Sequence, residues 1–260
     1  MDSYFQRQIQ LPEIGTKGQQ RLLDAKVLVV GAGGLGCPAL MQLAACGVGH
    51  LSLVDFDVVE LNNLHRQWLF SRSDLGKSKA EMAADLLNNQ FAHVVAKSYN
   101  YELNGDLAIK LIRDADLVLD CTDNLSARYL IDDVCALLDK PWVHASVSKF
   151  NVQYALFLPG QGFSYRNLFP VPPNPLTVLG CNREGVLGVV PGLAGTLQAT
   201  LALQHLLGFG GDGFKVHHLN TLSSEGYSIA VSPKPYSGPA DISQLLTYDY
   251  SAFCNNFEKP

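Results

Sequence analysis

Short hydrophobic runs alternate with amphipathic segments along the first 150 residues of the chain. Apolar runs of four or five residues predict strands, and apolar positions three or four residues apart predict helices. Strands are predicted at 26–30, 51–54, 94–98, 117–121 and 142–146, and helices at 16–25, 35–46, 77–90, 103–113 and 125–138. This alternation predicts an α/β fold, a Rossmann-like, mostly parallel sheet with helices on both faces.

The second part of the chain loses this alternation. Its elements are a strand at 153–158, a loop rich in proline and glycine at 158–180, an apolar helix within 185–211 and two short strands near 214–231. The last strands are expected to extend the sheet in a mixed or antiparallel manner, and a loop of this length is usually functional or mobile. The mostly polar tail after them is expected to be loosely held.

Charge and composition exclude several classes of partner. The formal net charge of −5 gives no general attraction to nucleic acid or to an anionic membrane. The stretch 185–211 lacks Asp, Glu, Lys and Arg, but its glycines, Pro191 and His205 favour a helix buried within the protein. The N-terminus has no signal-peptide pattern, and six scattered cysteines suggest reduced thiols. We therefore expect a cytoplasmic protein without nucleic-acid or membrane partners.

A glycine-rich turn follows the first predicted strand. Gly31, Gly33 and Gly36 fit the pattern G-x-G-x-x-G, which allows a tight turn and close approach of the backbone to a phosphate at the helix N-terminus. Asp55 ends the second strand, where a carboxylate can accept hydrogen bonds from ribose hydroxyls. These residues predict a nucleotide site, and leave open whether the nucleotide is a nicotinamide dinucleotide or a triphosphate.

Cations beyond the second strand favour the triphosphate. Four of them follow Asp55 closely, namely Arg66, Arg72, Lys77 and Lys79. A dinucleotide needs no such cluster beyond the glycine turn, whereas the charge of a triphosphate must be neutralised where it leaves the helix N-terminus. The alternative for this cluster is a solvated charged loop.

An acidic residue after the fourth strand favours the triphosphate site over the solvated charged loop. Asp123 lies in the sequence DLVLDCTDN, at the edge of the sheet where ligands of such folds bind. A carboxylate there is a natural ligand for Mg²⁺, which proteins often hold with one or two carboxylates and the phosphates of the substrate. Asp120 lies within the strand and is expected to be structural. A triphosphate with Mg²⁺ is therefore favoured over a dinucleotide.

Six motifs together resemble the ThiF/MoeB/HesA family, bacterial relatives of ubiquitin-activating enzymes. They are FQRQI near the N-terminus, GAGGLG, VDFDVVELNNLHRQ, LGKSKAE, LDCTDN and GVLGVVPGLAGTLQA. The resemblance extends from residue 4 to about residue 231. It implies one adenylation domain over 1–260, made of a helical arm (1–25), a nucleotide-binding half (26–150), a crossover loop with a buried helix and closing strands (151–231), and a tail (232–260).

The resemblance also implies an activity and a set of site residues. Members bind MgATP and adenylate the C-terminal glycine carboxylate of a small ubiquitin-like sulfur carrier, pyrophosphate leaves, and the acyl-adenylate then accepts sulfur. The implied nucleotide-binding residues are Gly31, Gly33, Gly34, Gly36, Asp55, Asp57, Asn63, Arg66, Lys79 and Asp123. Arg66, Lys79 and Asp123 would be catalytic, with Asp123 on the metal, and Arg7 would reach the ATP of the neighbouring subunit of a homodimer.

The expected zinc site departs from the family pattern, and the role of one cysteine is not decided by it. Many members carry two CxxC pairs that bind zinc, but Ser164 and Asn167 stand where the first pair would lie, and only Cys254 remains near the C-terminus. One cysteine cannot make a tetrahedral thiolate site, so we expect no zinc, with the loop held by packing alone. Cys181 matches a cysteine that some members link covalently to the carrier or to sulfur; the alternative is a small buried apolar residue.

Three other functions remain open from the sequence. The adenylated acceptor could be a peptide C-terminus or another carboxylate in a biosynthetic or RNA-modification pathway. The chain could be a non-catalytic partner subunit, although Arg66, Lys79 and Asp123 argue against this. A nicotinamide oxidoreductase would bind NADH instead of ATP.

Overall fold

A twisted sheet of eight strands organises the computed structural model, which describes residues 3–172, 185–209 and 214–255. The strands are β1 Lys26–Val30, β2 His50–Val54, β3 Val95–Tyr99, β4 Leu117–Asp120, β5 Trp142–Ser148, β6 Asn151–Phe157, β7 Lys215–Asn220 and β8 Glu225–Ala230. Their order in the sheet is β3-β2-β1-β4-β5-β6-β7-β8. The first five strands pair in parallel and the last three add antiparallel pairs, so the predicted fold class is confirmed.

The helices described are α1 Gln6–Ile9, α2 Gly15–Asp24, α3 Gly36–Cys46, α4 Lys79–Gln90, α5 Gly105–Asp114, α6 Leu125–Leu138, α7 Tyr165–Leu168, α8 Val189–Leu207, α9 Ile242–Leu246 and α10 Tyr250–Asn255. The side chains of each strand alternate between the two faces of the sheet, so the hydrophobic core is divided into two parts. Val27 and Val29 of β1 belong to the core beneath α3, α4 and α8, while Leu28 and Val30 face the core beneath α5 and α6. No described helix is both long and apolar enough to cross a membrane.

A buried ionic network fixes the end of β4. Asp120 accepts a hydrogen bond from Arg128 Nε at 2.8 Å, and its carboxylate lies 3.2 Å from His144 Nδ1. Burial alone would raise the pKa of Asp120, but the Arg128 guanidinium and His144 hold that pKa well below its usual range. Gln198 of α8 donates to the Asp120 carbonyl at 2.7 Å. These contacts hold in place the turn that carries Asp123, which agrees with a structural role for Asp120.

Two predictions about the later part of the chain need correction. The loop predicted at 158–180 is described as far as residue 172, and it contains the short helix α7, which begins at a Ser164 cap. The prediction of a loosely held tail is wrong for the described residues up to 255, because α9 and α10 pack on α6 and bury Leu245 and Cys254. The tail is mostly polar, and its few buried apolar residues are spaced several positions apart, so they form no recognisable pattern in the sequence.

Candidate functional site

A large cavity lies at the carboxyl ends of the parallel strands, where β1 and β4 are neighbours in the sheet but not in the chain. Its volume is about 1120 Å³. Its walls are the turn after β1, the segment after β2, the loops after β3 and β4, and residues 246–251 of the tail. Ligands of open α/β sheets bind at such a topological switch point. Among the predicted residues, the cavity brings together Gly31, Gly33, Gly34, Asp55, Asp57, Asn63, Arg66, Lys79 and Asp123.

The glycine turn is shaped by two close backbone approaches. Gly31 has φ of 95°, and a Cβ there would lie 2.6 Å from the carbonyl oxygen of Cys121. A Cβ at Gly36 would collide with the carbonyl oxygen of Gly31. At Gly33 the nearest atom to such a Cβ would be Gln67 Nε2 at 3.6 Å, so this residue meets no steric barrier. Gly31 and Gly36 therefore shape the turn, while Gly33 lines the cavity.

Asp55 joins the glycine turn to the end of β2. Its Oδ2 accepts from the Ala32 amide at 2.7 Å, and its Oδ1 accepts from the Asp57 amide at 2.8 Å. Burial raises the pKa of Asp55, and these backbone hydrogen bonds oppose that rise. A carboxylate offers about four lone-pair directions, so Asp55 can also accept a hydrogen bond from a ligand in the cavity.

Two of the four predicted cations, Lys79 and Arg66, line the cavity. Lys79 Nζ lies 2.8 Å from Asp57 Oδ2, with the lysine side chain only 5% exposed and that of Asp57 54% exposed. Arg66 donates to the Asn62 carbonyl at 3.1 Å and to Asn63 Oδ1 at 3.3 Å. Both basic side chains line the cavity.

The other two cations do not line the cavity. Lys77 is 51% exposed and pairs with Asp74 at 3.1 Å, and Arg72 is exposed as well. The prediction that Arg72 and Lys77 belong to a phosphate-binding charge cluster is therefore wrong. They lie on the solvated loop that was its alternative.

Asp123 is exposed at the cavity rim, directly after the turn that Asp120 fixes. Among the described residues, no group of three or more His, Cys, Asp or Glu side chains could hold a metal ion by itself. A single carboxylate next to a phosphate site still fits Mg²⁺, because this ion keeps several waters and takes its other ligands from the substrate. The metal would thus arrive together with the nucleotide.

Gln67 is a cavity residue that the sequence did not single out. It is buried and donates through Nε2 to Asn63 Oδ1 at 2.9 Å, while its Oε1 has no hydrogen-bond partner in the described structure. Its position directly after Arg66, in NNLHRQ, was the available signal. A buried polar atom without a partner beside a cavity can be satisfied by a ligand or water.

Comparison with known proteins decides the family. The family description "ThiF family" matches residues 5–237 of this chain. The chain belongs to the ThiF family. The predicted resemblance is therefore confirmed.

Relatives of this ThiF-family chain carry an enzyme name. The protein named adenylyltransferase and sulfurtransferase MOCS3 in Danio rerio is 40% identical over 263 residues, covering 97% of this chain and 56% of the relative. The MOCS3 of Drosophila sechellia is 46% identical over 206 residues, covering 79% of this chain and 46% of the relative. The chain thus spans about half the length of the curated relatives it matches.

Solved structures agree with the ThiF-family fold. Escherichia coli MccB superimposes with a TM-score of 0.78 at 20% identity, covering 92% of this chain and 72% of MccB. PaaA superimposes with a TM-score of 0.69 at 21% identity, covering 87% of this chain and 72% of PaaA. At these identities the likeness concerns the fold alone.

The residues at the expected zinc position of this ThiF-family chain do not fit the metal. Ser164 Oγ donates to Asn167 Oδ1, and the Asn167 side chain donates to the carbonyl of Lys234 at 2.7 Å. Hydrogen bonds thus supplement the aromatic packing of Phe163, so packing alone is an incomplete account. Residues 234–235 accept from the Asn167 side chain, and Cys254 is buried next to Phe253, whose ring lies 4.6 Å from the Arg166 guanidinium of α7.

We expect the purified protein to contain much less than one zinc per chain and to keep its unfolding temperature in excess chelator. The reason is that a hydroxyl and an amide stand where thiolates would be needed. Elemental analysis and thermal unfolding with and without EDTA make the measurement. One tightly held zinc, together with a lower unfolding temperature in EDTA, would contradict this expectation.

Arg7 and the cysteines complete the set of predicted residues. Arg7 is exposed on α1 and does not line the described cavity, and Cys181 lies outside the described residues. Burial raises the pKa of Cys37 to about 12 and raises the pKa of Cys121 and Cys135 well above the usual range. These three thiols stay protonated at neutral pH, so they are core residues, not nucleophiles.

Proposed function

We propose that this chain uses MgATP to adenylate the C-terminal glycine carboxylate of a ubiquitin-like sulfur carrier. The observation that carries the proposal is the single cavity that holds a glycine turn, a ribose-type carboxylate, two cations and Asp123 together. A nicotinamide dinucleotide would leave Arg66 and Lys79 without a ligand charge to neutralise. The enzyme names of the MOCS3 relatives support the same class of reaction.

Each wall of the cavity has a part in the proposed binding. The glycine turn and the N-terminus of α3 present backbone N–H groups to phosphate oxygens. Asp55, already tied to the turn, accepts a ribose hydroxyl. Arg66 and Lys79 neutralise the triphosphate, and Asp57 can release Lys79 because a half-exposed carboxylate is readily solvated. Asp123 would hold Mg²⁺, which supplies further neutralisation of phosphate charge.

The chemistry needs little more than this positioning. A carboxylate oxygen of the carrier attacks the α-phosphorus of ATP, a carboxyl–phosphate bond forms, and the bond to the β-phosphate breaks to release pyrophosphate. No general base is required, because a terminal carboxylate is ionised at pH 7. Charge that develops on the phosphates is stabilised by Arg66 and Lys79 in a preorganised site.

The fate of the acyl-adenylate belongs to the same proposal. A mixed anhydride with AMP has a good leaving group, so a sulfur nucleophile at the oxidation level of sulfide can attack the carbonyl carbon. A carbon–sulfur bond forms, the carbon–oxygen bond to AMP breaks, and a thiocarboxylate is left on the carrier. Cys181 is a candidate for a covalent step. The name sulfurtransferase, carried by relatives about twice as long as this chain, supports the pathway class.

The assembly and location are proposed with the activity. We propose one adenylation domain that acts as a homodimer, with Arg7 of each subunit reaching the other subunit's ATP. Arg7 is exposed on the N-terminal helix, where a neighbouring chain can meet it. The five cysteines that the structure describes are free, which favours a reducing compartment such as the cytoplasm.

The decisive experiment is ATP–pyrophosphate exchange against a panel of acceptors. We expect exchange with a carrier that ends in a free glycine carboxylate, and none with the same carrier ending in an amide, because only the carboxylate can form the anhydride. Exchange with short peptides and not with carriers would instead establish the peptide-activating alternative. A chain that fails to bind ATP would be a non-catalytic partner, and NADH binding would favour the oxidoreductase.

A further inference from the structure

The tail of the chain reaches the nucleotide cavity although it lies beyond the family match. That match ends at residue 237, whereas residues 246–251 line the cavity. Helix α9 packs on α5 and α6, and α10 packs on α6. The walls of the site are therefore not complete within the segment that defines the family.

A buried carboxylate anchors the tail to the core. Asp133 of α6 is fully buried and receives both Nε and Nη2 of Arg166, at 2.6 and 2.7 Å. The Tyr236 hydroxyl donates to Asp133 Oδ1 at 2.7 Å, and the Tyr250 hydroxyl donates to Asp133 Oδ2 at 2.8 Å. The Arg166 guanidinium also lies 4.6 Å from the ring centroid of Phe253. The tail is thus attached both before and after the residues that line the cavity.

The attachment places the tail beside the starts of α5 and α6. Ser126 Oγ, in the first turn of α6, donates to the Tyr250 carbonyl at 3.4 Å, and Leu246 contacts the start of α5 beside Gly105. These helices follow β4 and β3. Arg66 and Lys79, the partners proposed for the phosphates, stand on the segment after β2. In the proposed binding mode the phosphates lie among Arg66, Lys79 and Asp123 and the ribose lies at Asp55, which leaves the part of the cavity lined by 101–105 and 246–251 for the base.

We propose that residues 246–251 form a wall of the nucleotide site at the adenosine end. Packing of this tail against α5 and α6, called the seated state below, and binding of ATP then strengthen each other. The inference rests on the proposed use of ATP. A ligand that contacts only the seated tail must stabilise the seated state by its differential affinity. ATP should therefore order the tail, and a loosened tail should weaken ATP.

Two matched variants separate tail seating from general stability. Tyr250→Phe and Tyr236→Phe each remove one hydroxyl from the same Asp133 carboxylate, but only Tyr250 itself borders the cavity. We expect the dissociation constant for ATP, measured by calorimetry without any carrier, to rise about fivefold in Tyr250→Phe and less than twofold in Tyr236→Phe. An unchanged dissociation constant for ATP in Tyr250→Phe would overturn the coupling.

Hydrogen exchange gives a second, independent measurement on the unaltered full chain. Saturating ATP is expected to slow amide exchange in 246–251 and to leave the outer strand β8, which lies away from the cavity lining, unchanged. Unchanged exchange in 246–251 would overturn the proposal. Because binding is measured without acceptor, a tail-coupled ATP site that supports no pyrophosphate exchange would refute the proposed function alone. A chain that binds no ATP would refute both.

Discussion

Replacing Asp123 by Asn is expected to lower ATP–pyrophosphate exchange about a thousandfold or more and to leave the fold intact. Asp123 is exposed at the cavity rim, so the isosteric amide disturbs no packing. The amide is a neutral and weaker ligand for a hard cation, and the proposed site has no second carboxylate after β4 free to replace it, because Asp120 is committed to Arg128. Loss of Mg²⁺ neutralisation acts directly on the pyrophosphate that leaves.

The measurement compares exchange rates at saturating ATP over a range of Mg²⁺ concentrations. Asp85→Asn is the matched control, because Asp85 is an exposed carboxylate on α4 that does not line the cavity. We expect the control to retain wild-type exchange and both variants to unfold at the wild-type temperature. Wild-type exchange in Asp123→Asn would remove this residue from the metal-binding role.

The parallel half of the fold could be predicted from local patterns. β1 begins and ends at the predicted residues, and α6 begins after the predicted Asn124 cap, whose Oδ1 accepts from the Ala127 amide at 2.8 Å. A strand buried on both faces is apolar throughout, so it stands out from the polar segments around it. Each of these features needs information from only a few neighbouring residues.

The candidate site was partly predictable for a related reason. Parallel strands direct their carboxyl ends to one edge, so residues that follow β1, β2 and β4 had to meet there. Spacing alone could not say which cations meet the cavity. Lys79 is the first residue of α4 and lines the cavity, while Lys77, two residues earlier, is turned to solvent with Asp74.

Contacts between distant segments lay beyond the sequence. Tyr250 and Asp133 are 117 positions apart, and Asn167 and Lys234 are 67 apart. No periodic pattern encodes such pairs, since each depends on how whole elements pack. The packed tail was therefore missed, although the sequence of the tail contains Tyr236, Tyr248 and Tyr250. The same limit hid the role of Asp55 in holding the glycine turn.

Lys79→Met is expected to lower exchange about a hundredfold, with a larger effect on kcat than on KM for ATP. Methionine nearly matches the length of the buried part of the lysine side chain, so the packing at the start of α4 is kept. The partner left behind, Asp57, is 54% exposed and can be solvated by water, so the loss of the ion pair should cost little stability. What is lost is a buried cation at the proposed phosphate site, and its effect is expected to be greatest when charge develops during transfer.

Lys77→Met provides the matched control for this prediction, because it makes the same chemical change two residues earlier. Lys77 is half-exposed and pairs with Asp74 outside the cavity, so its loss should leave kcat and KM within about twofold of wild type. Steady-state exchange kinetics of both variants make the comparison. If Lys79→Met changed only KM, Lys79 would bind ATP equally in the ground and transition states, and Arg66 would remain the only described cation of the cavity assigned to the developing charge. If neither parameter changed, the ion pair with Asp57 would be purely structural, and the role of Lys79 in phosphate neutralisation would be wrong.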